Sequence, residues 1–270
     1  MDLQNILIAV AVVGGTGLVF GLILSIASFV FEVKKDERAE KILAELPGAN
    51  CGACGYAGCS AYADAIVLEG APINCCSVGK AAVAEKISDI MGVEASEVVE
   101  MVAHVGCSGD CESVKYKYEY EGKKDCSTAI LLSGGAKACP SGCIGFGSCT
   151  QVCKFGAISV VDGVAVVDEE KCTACGMCLK ACPKGIISFV PKNNNQRVGC
   201  VNPENGKAVN SYCKKGCIAC KLCEKNCPFD AVHIENNHAV IDYDKCKNCG
   251  ICAKKCPRHI IINKKEIIEA

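Results

Sequence analysis

The first 31 residues contain an apolar run that no charged residue interrupts. Between Asp2 and Glu32 the sequence is LQNILIAVAVVGGTGLVFGLILSIASFVF. About 20 apolar residues are enough for a helix to cross a bilayer, and the basic residues that open a cleaved signal peptide are absent before this run. The pattern therefore predicts a single transmembrane helix over residues 1–31.

The segment after this run is charged and has a helical pattern. Lys34, Lys35 and Arg38 follow directly, and basic residues beside a transmembrane helix usually remain in the cytoplasm. Residues 32–46 predict a short amphipathic stalk helix, which ends before Pro47. We therefore expect a single-pass protein of the cell membrane, with its other domains on the cytoplasmic side, where thiols stay reduced.

Two later segments place β-branched residues on both sides of a turn-forming pair. AISVVDGVAVVDEEKC begins at residue 157 and AVHIENNHAVIDYDKC begins at residue 231. In each, β-branched residues flank an Asp-Gly or Asn-Asn pair, which is the pattern of a short β-hairpin. Together with the helical segments, these hairpins predict an α+β fold.

Cysteine is the residue type that changes this picture most. The chain has 26 cysteines among 270 residues, a fraction typical of disulfide scaffolds, zinc modules or iron–sulfur proteins. The formal net charge is −1, so bulk electrostatics do not indicate a nucleic-acid partner. A reducing compartment argues against disulfides, which leaves the two kinds of metal site.

The first group of cysteines lies in residues 47–105 and predicts a small four-cysteine iron–sulfur domain. Cys51, Cys54 and Cys59 are separated by two and four residues, and small residues between them allow the backbone to aim its N–H groups at sulfur. The fourth ligand comes from INCCSVGK, in which Cys75 and Cys76 are both candidates.

The remaining chain is an internal duplication with an offset of 74 residues. The cysteines of the first copy are Cys126, Cys139, Cys143, Cys149, Cys153, Cys172, Cys175, Cys178 and Cys182. Their counterparts are Cys200, Cys213, Cys217, Cys223, Cys227, Cys246, Cys249, Cys252 and Cys256. The duplication predicts tandem ferredoxin-like modules, residues 106–190 with extra cysteines and residues 191–270.

The second copy has the complete pattern of a ferredoxin with two 4Fe-4S clusters. Three cysteines of each C-x2-C-x2-C-x3-C run bind one cluster, and the fourth binds the other. One predicted set is Cys217, Cys220, Cys223 and Cys256, and the other is Cys246, Cys249, Cys252 and Cys227. Zinc is the alternative, but zinc sites usually pair two well-separated C-x2-C motifs.

The first copy departs from this pattern at one position. Its complete set is Cys172, Cys175, Cys178 and Cys153, whereas Phe146 stands at the place of Cys220. The other set therefore has only Cys143, Cys149 and Cys182. We predict that Cys139 supplies the missing ligand; the alternative is a three-iron cluster at this site.

The cysteines left over indicate a further site. Cys107, Cys111 and Cys126 predict a sixth cluster, completed by either Cys200 or Cys213, and Cys139 is an alternative member of this group. We therefore expect about six 4Fe-4S clusters, one of which is a three-iron cluster if Phe146 leaves its site incomplete.

No other catalytic motif stands out. The chain has neither a G-x-G-x-x-G sequence after a strand nor a G-x4-G-K-[ST] loop, and its four histidines are scattered. Closely spaced clusters form a path for electrons. We therefore expect an electron-transfer protein without a substrate-transforming site of its own.

The apolar N-terminal run, the CGACGYAGC motif and the tandem ferredoxin runs together resemble the B subunit of the Rnf complex, in its long, cysteine-rich form. The resemblance favours Cys76 as the fourth ligand of the first domain. It also implies membership of a membrane-bound ferredoxin:NAD+ oxidoreductase, a translocase coupled to Na+ or H+. In that family, the B subunit accepts electrons from reduced ferredoxin and passes them towards the membrane, flavin-binding and NAD-binding subunits.

The second module is rich in basic residues near its cysteine runs. These include Lys214, Lys215, Lys221, Lys225, Lys247, Lys254, Lys255 and Arg258. Such a surface favours docking of an acidic ferredoxin, although a solvated lysine face explains the pattern equally well. Two other functions stay open: an anchored polyferredoxin of a different membrane redox complex, and a zinc-bearing interaction scaffold.

Overall fold

The structure is a computed structural model that describes residues 3–30, 36–94 and 99–264. Helix α1 is Leu3–Val30, and its side chains are described from residue 12 to residue 26. No helix in the described ranges has both the length and the apolar character needed to cross a membrane. The predicted transmembrane helix is therefore wrong, because a crossing needs about 20 such residues. Lys34 and Lys35, on which the predicted sidedness depended, lie outside the described residues.

Three helices build the four-cysteine domain. They are α2 (Glu37–Glu45), α3 (Cys59–Leu68) and α4 (Lys80–Met91). Ile42 of α2 is fully buried with Tyr62 and Ile87 of the other two helices. Helix α2, which the sequence placed in a stalk, thus forms part of the core of this domain.

The first ferredoxin-like module contains two antiparallel strand pairs and three short helices. Strand β1 (Met101–Val105) pairs with β4 (Ile187–Pro191), and β2 (Ile158–Val161) pairs with β3 (Val164–Val167). The helices are α5 (Cys126–Ala129), α6 (Ser148–Gln151) and α7 (Met177–Ala181). Ile158, Val164 and Ile187 are buried together in the core between the strands and the cysteine loops.

The second module repeats this arrangement. Strand β5 (Gln196–Val198) pairs with β8 (Ile261–Asn263), and β6 (Val232–Glu235) pairs with β7 (His238–Ile241). The helices are α8 (Gly206–Tyr212), α9 (Leu222–Lys225) and α10 (Ile251–Lys255). Elements β2, β3, α6 and α7 recur as β6, β7, α9 and α10 at the offset of 74 residues, so the duplication in the sequence is a duplication in the structure.

Both predicted β-hairpins are confirmed. Asp162 and Gly163 have φ values of 47° and 75°, and Asn236 and Asn237 have φ values of 44° and 61°. Two consecutive positive φ values are characteristic of the tight turns that match the twist of antiparallel strands. Asp, Asn and Gly adopt this conformation at a low cost, which explains why the turns fall at these pairs.

The two modules are joined by polar contacts as well as by chain connectivity. Arg197 of β5 forms an ion pair with Glu169 of the first module, 3.2 Å from Nε to Oε1. His104 of β1 lies with Nε2 2.9 Å from the carbonyl oxygen of Val198. Burial lowers the pKa of His104, which favours the neutral ring at this junction. The modules therefore meet through a buried and specific interface.

Candidate metal centres

The first candidate centre lies between the loop before α3 and the loop before α4. Its cavity is lined by Cys51, Cys54, Cys59 and Cys76. The N–H of Gly79 donates to Cys76 Sγ at 3.3 Å, and the N–H of Cys59 donates to Asn50 Oδ1 at 2.8 Å. Cys75 does not line this cavity; its N–H donates to the hydroxyl oxygen of Tyr62 at 3.1 Å. The geometry therefore supports Cys76 as the fourth member of the set.

The second centre is the one where Phe146 interrupts the cysteine run. Its cavity is lined by Cys126, Cys143, Cys149 and Cys182. Burial raises the pKa of Cys149 to about 11, and the other three thiols of the cavity add repulsion. The structure thus brings Cys126 to this set, whereas the sequence assigned Cys139 to it.

Cys126 is held in this position by a chain of hydrogen bonds. Its N–H donates to Ser148 Oγ at 2.8 Å, and that hydroxyl donates to Asp125 Oδ1 at 2.8 Å. Ser148 begins helix α6, two residues after Phe146. The Phe146 ring packs on Tyr120, with 5.1 Å between the ring centroids. The loop that carries Phe146 is therefore fixed next to the helix that begins at Cys126.

The third centre belongs to the complete run of the first module. Its predicted members are Cys153, Cys172, Cys175 and Cys178. Burial raises the pKa of Cys178 to about 12, with repulsion from Cys172 and Cys175. The N–H of Ala157 donates to Cys153 Sγ at 3.3 Å, and the N–H of Ala103 donates to Cys172 Sγ at 3.4 Å. Backbone N–H groups from two separate segments therefore donate to sulfur atoms of this group.

The second module carries the fourth and fifth centres. Burial raises the pKa of Cys223 to about 11, and the thiols that repel it include Cys256 from the other run. Burial also raises the pKa of Cys252 to about 11, and here the thiol from the other run is Cys227. This crosswise proximity is the arrangement that the spacing predicted. The N–H of Ala231 donates to Cys227 Sγ at 3.4 Å, which repeats the Ala157 bond of the first module.

A further group of cysteines lies between the two modules. Cys107, Cys139, Cys200 and Cys213 line one cavity there. The sequence placed Cys107 with Cys111 and Cys126, but Cys111 is exposed and its N–H donates to the carbonyl oxygen of Asp162 at 2.9 Å. Cys111 and Cys75 line none of the three cavities described above, and neither belongs to a C-x2-C-x2-C-x3-C run.

Three family models match parts of this chain. A model described as "Putative Fe-S cluster" matches residues 46–78, a "4Fe-4S binding domain" matches residues 165–188, and a "4Fe-4S dicluster domain" matches residues 216–261. These ranges contain the first centre, part of the first module and most of the second module. The motif-based prediction of iron–sulfur domains is confirmed.

Whole-chain comparisons extend this result. The chain is 48% identical over 260 residues to the B subunit of the Na(+)-translocating ferredoxin:NAD(+) oxidoreductase complex of Acetobacterium woodii, covering 96% of this chain and 78% of that protein. It is 42% identical to the B subunit of the proton-translocating ferredoxin:NAD(+) oxidoreductase complex of Clostridium ljungdahlii. That match covers 94% of this chain and 91% of the related protein. It is 41% identical to the B subunit of the ion-translocating oxidoreductase complex of Methanosarcina acetivorans. That match covers 94% of this chain and 96% of the related protein.

The chain belongs to the family of Rnf B subunits. The family predicted from the motifs is confirmed, and so is the role of an iron–sulfur electron-transfer subunit in an ion-translocating ferredoxin:NAD+ oxidoreductase. Membership also agrees with the expectation that chemistry on substrates belongs to the complex and not to a site on this chain.

The donor set of this Rnf-family chain fits iron–sulfur clusters. Its cysteines form no disulfide bonds, and backbone N–H groups donate to several of their sulfur atoms. Such N–H···S bonds stabilise the thiolates that hold a cluster and adjust its potential. Across the described ranges, no group of three or more His, Cys, Asp or Glu could hold one single metal ion between them. The fit therefore rests on spacing, N–H donors and the matched domains.

Some residues around these centres carried no signal in the sequence. Ser148 and Asp125 position Cys126, and the Tyr62 hydroxyl donates to the carbonyl oxygen of Pro72 at 2.7 Å while it accepts from Cys75. Lys137 is buried beside the cavity between the modules. These residues form no motif, because their positions depend on tertiary contacts between distant segments.

Proposed function

We propose that this chain accepts electrons from reduced ferredoxin at its second module and conducts them towards the other subunits of the complex. The observation that carries this proposal is the exposure of the cysteine loops of that module. Cys220 and Cys249, one from each set of the second module, are exposed. Electron transfer between proteins requires a short distance, so an exposed ligand loop favours an entry point.

The proposal includes clusters at six sets of four cysteines. The sets are Cys51, Cys54, Cys59 and Cys76; Cys126, Cys143, Cys149 and Cys182; Cys153, Cys172, Cys175 and Cys178; Cys217, Cys220, Cys223 and Cys256; Cys227, Cys246, Cys249 and Cys252; and Cys107, Cys139, Cys200 and Cys213, which line the cavity between the modules. A 4Fe-4S cluster at each set would exchange one electron at a time, at a potential that burial and N–H···S bonds adjust. The chain's own residues supply the ligands, exclude water and fix the distances between the sets.

The surface around Cys220 combines apolar and basic side chains. Leu222 and Phe229 are 40% and 42% exposed. Lys221 and Lys225 are exposed on the same loop and helix, and Lys254 is exposed on α10. Basic rims increase the rate at which an acidic partner finds its site, and apolar groups at the centre hold the complex. This composition suits an acidic ferredoxin.

The complex in which the chain works is associated with a membrane, because its relatives are named as subunits of ion-translocating complexes. We propose that the cluster-bearing domains face the cytoplasm, where reduced thiols persist. The related subunits are named for Na+ translocation in one organism and for proton translocation in another. Neither ion is favoured by a residue of this chain that the structure describes.

Neutralising three lysines around Cys220 tests the proposal. In the variant Lys221→Gln, Lys225→Gln and Lys254→Gln, we expect the rate of ferredoxin oxidation at low salt to fall about tenfold, because steering by opposite charge is lost. The rate should also depend less on ionic strength. Stopped-flow oxidation of reduced ferredoxin at several salt concentrations measures both effects.

A matched control removes the same charge from the other module. Lys123, Lys124 and Lys154 are exposed in the first module, and their replacement by glutamine should leave the rate near that of the unmodified chain. An equal loss of rate in both variants would show that net charge, and not a docking surface, governs the reaction. An unchanged rate in the first variant would remove the second module as the entry point.

A further inference from the structure

A run of amide side chains leads into strand β5. The sequence is NNNQ at residues 193–196, and it belongs to none of the cysteine motifs. Asn194 and Gln196 are only 3% and 1% exposed. Amide side chains usually lie at the surface, and buried polar groups are normally hydrogen-bonded. Two buried amides so close together in the sequence therefore indicate a local function.

The amide run is fastened to the cysteine run of the fifth centre. The N–H of Asn195 donates to Asn248 Oδ1 at 2.7 Å, and Asn248 Nδ2 donates to the carbonyl oxygen of Asn193 at 3.3 Å. Asn248 lies between Cys246 and Cys249. These two hydrogen bonds hold the amide run against the loop that carries the cysteines.

The side chain of Gln196 faces the core of the second module. Val198, two residues further along β5, is buried in one cluster with Cys252. Because alternate residues of a strand point to the same face, Gln196 faces this core as well. A Cβ atom at Gly250, which lies between Cys249 and Cys252, would be 3.8 Å from Gln196 Nε2. The amide nitrogen therefore lies beside the ligand loop of the fifth centre.

The side-chain amide of Gln196 is unpaired. Neither Nε2 nor Oε1 has a hydrogen-bond partner among the residues that the structure describes, and both atoms are buried. Such an unpaired group is costly. Its amide nitrogen carries two N–H donors, and a 4Fe-4S cluster held by the neighbouring cysteines has sulfur atoms that accept hydrogen bonds. The environment of Gln196 thus suits a donor to a cluster.

The duplication provides an internal comparison. In the second module, Gln196 lies opposite Asn263 across β5 and β8. In the first module, Ala103 lies opposite Phe189 across β1 and β4, and Phe189 precedes Asn263 by the same offset of 74 residues. The side chains of alanine and phenylalanine have no hydrogen-bond donor. The third and fifth centres therefore share their cysteine spacing and differ in the donors next to it.

We propose that Gln196 Nε2 donates a hydrogen bond to a sulfur atom of the cluster in the fifth centre and raises the reduction potential of that cluster. Gln196 is not a ligand and acts only through this hydrogen bond. The inference rests on the proposed function in that it takes a cluster to be bound at Cys227, Cys246, Cys249 and Cys252. It adds a residue that adjusts the module at which electrons enter.

The direction of the effect follows from charge. Each transfer oxidises ferredoxin by one electron and reduces the cluster by one electron, and it moves no proton. The reduced cluster carries one more negative charge, so an N–H donor stabilises it more than the oxidised cluster. The potential of the cluster therefore rises, which favours the first transfer, from reduced ferredoxin to this chain.

Replacing Gln196 by leucine tests the inference, because leucine is similar in size and has no donor. In the full, anaerobically purified chain we expect unchanged iron content. One cluster should become about tenfold harder to reduce, which corresponds to about 59 mV for one electron. Redox titration followed by EPR measures this shift. The control is Gln151→Leu, at an exposed position of the first module, which should leave every potential unchanged. Unchanged potentials in Gln196→Leu, or an equal shift of all clusters, would overturn the inference.

A second measurement needs no substitution. The glutamines of this chain are Gln4, Gln151 and Gln196, so an isotope label on the glutamine side-chain nitrogen marks few sites. Pulsed EPR of the reduced, labelled chain should show a coupling between this nitrogen and a cluster, and Gln151→Leu should keep it. Without such a coupling in the unmodified chain the inference is wrong, even where Gln196→Leu fails to fold. A cluster at this set without the coupling leaves the proposed function intact, whereas a chain without iron there overturns both.

Discussion

Replacing Cys126 by serine is expected to remove the fourth ligand from the set that Phe146 interrupts. Cys143, Cys149 and Cys182 would then hold either a three-iron cluster or no cluster. The physical reason is that three thiolates leave one iron of the cube without a protein ligand. Iron analysis should show a loss of about one to four irons per chain, and EPR of the oxidised chain should show whether a three-iron cluster remains.

The variant Cys126→Ser combined with Phe146→Cys is the rescue test. Position 146 corresponds to Cys220 of the complete run, so a cysteine there restores the ordinary ferredoxin spacing. We expect the double variant to regain the four-iron cluster. Cys111→Ser is the matched control, because Cys111 is exposed and lines none of the candidate cavities. Full iron content in Cys126→Ser alone would contradict the assignment.

Replacing Glu169 by alanine should lower the free energy of unfolding by about 3–5 kcal/mol. Arg197 and Glu169 side chains are 3% and 15% exposed, and Lys264 also contacts the Glu169 carboxylate. Without Glu169, Arg197 keeps uncharged partners, which include the carbonyl oxygens of Pro191 and Gln196. Its buried charge is then uncompensated, and the junction between the modules weakens.

The adjacent Glu170 provides the control for this prediction. Its side chain is 83% exposed and pairs with Lys192 at 2.9 Å, so Glu170→Ala should change stability by less than about 1 kcal/mol. Anaerobic guanidinium unfolding of the cluster-loaded chains, followed by circular dichroism, compares the two variants. Equal effects of the two substitutions would show that the buried ion pair does not hold the modules together.

The ferredoxin runs are the part of the centres that the sequence determines. In a C-x2-C-x2-C-x3-C run the ligands are close in sequence, so local backbone geometry fixes most of their relative positions. The proximity of Cys223 to Cys256 and of Cys252 to Cys227 follows this rule. The two hairpin turns were predictable for the same reason, because residue type alone favours their positive φ values.

The placing of Cys126 and Cys139 was not predictable in this way. Cys139 is only four residues from Cys143, yet it faces the cavity between the modules, where Cys200 and Cys213 approach from the second copy. Cys126 reaches its set through Ser148, which is distant in sequence. Pairing across such separations is decided by packing of whole modules, which spacing does not encode.

The predicted transmembrane helix at the N-terminus is wrong for a different reason. An uncharged apolar run is the usual signal of a membrane helix, but no helix in the described ranges meets the length and apolarity of a membrane span. The adjoining helix α2 also differs from the expected stalk, because Ile42 is buried against the four-cysteine domain. The sequence pattern indicated that α2 has an apolar face. It did not indicate that this face packs on the other two helices of the four-cysteine domain.

Iron, sulfide and zinc analysis of the anaerobically purified chain tests the central claim most directly. Six sets of four cysteines use all of the 26 cysteines except Cys75 and Cys111. The account therefore predicts about 24 irons and 24 sulfides per chain, no stoichiometric zinc, and a brown colour that dithionite bleaches. A colourless chain that contains zinc, or whose cysteines are joined as disulfides, would contradict it.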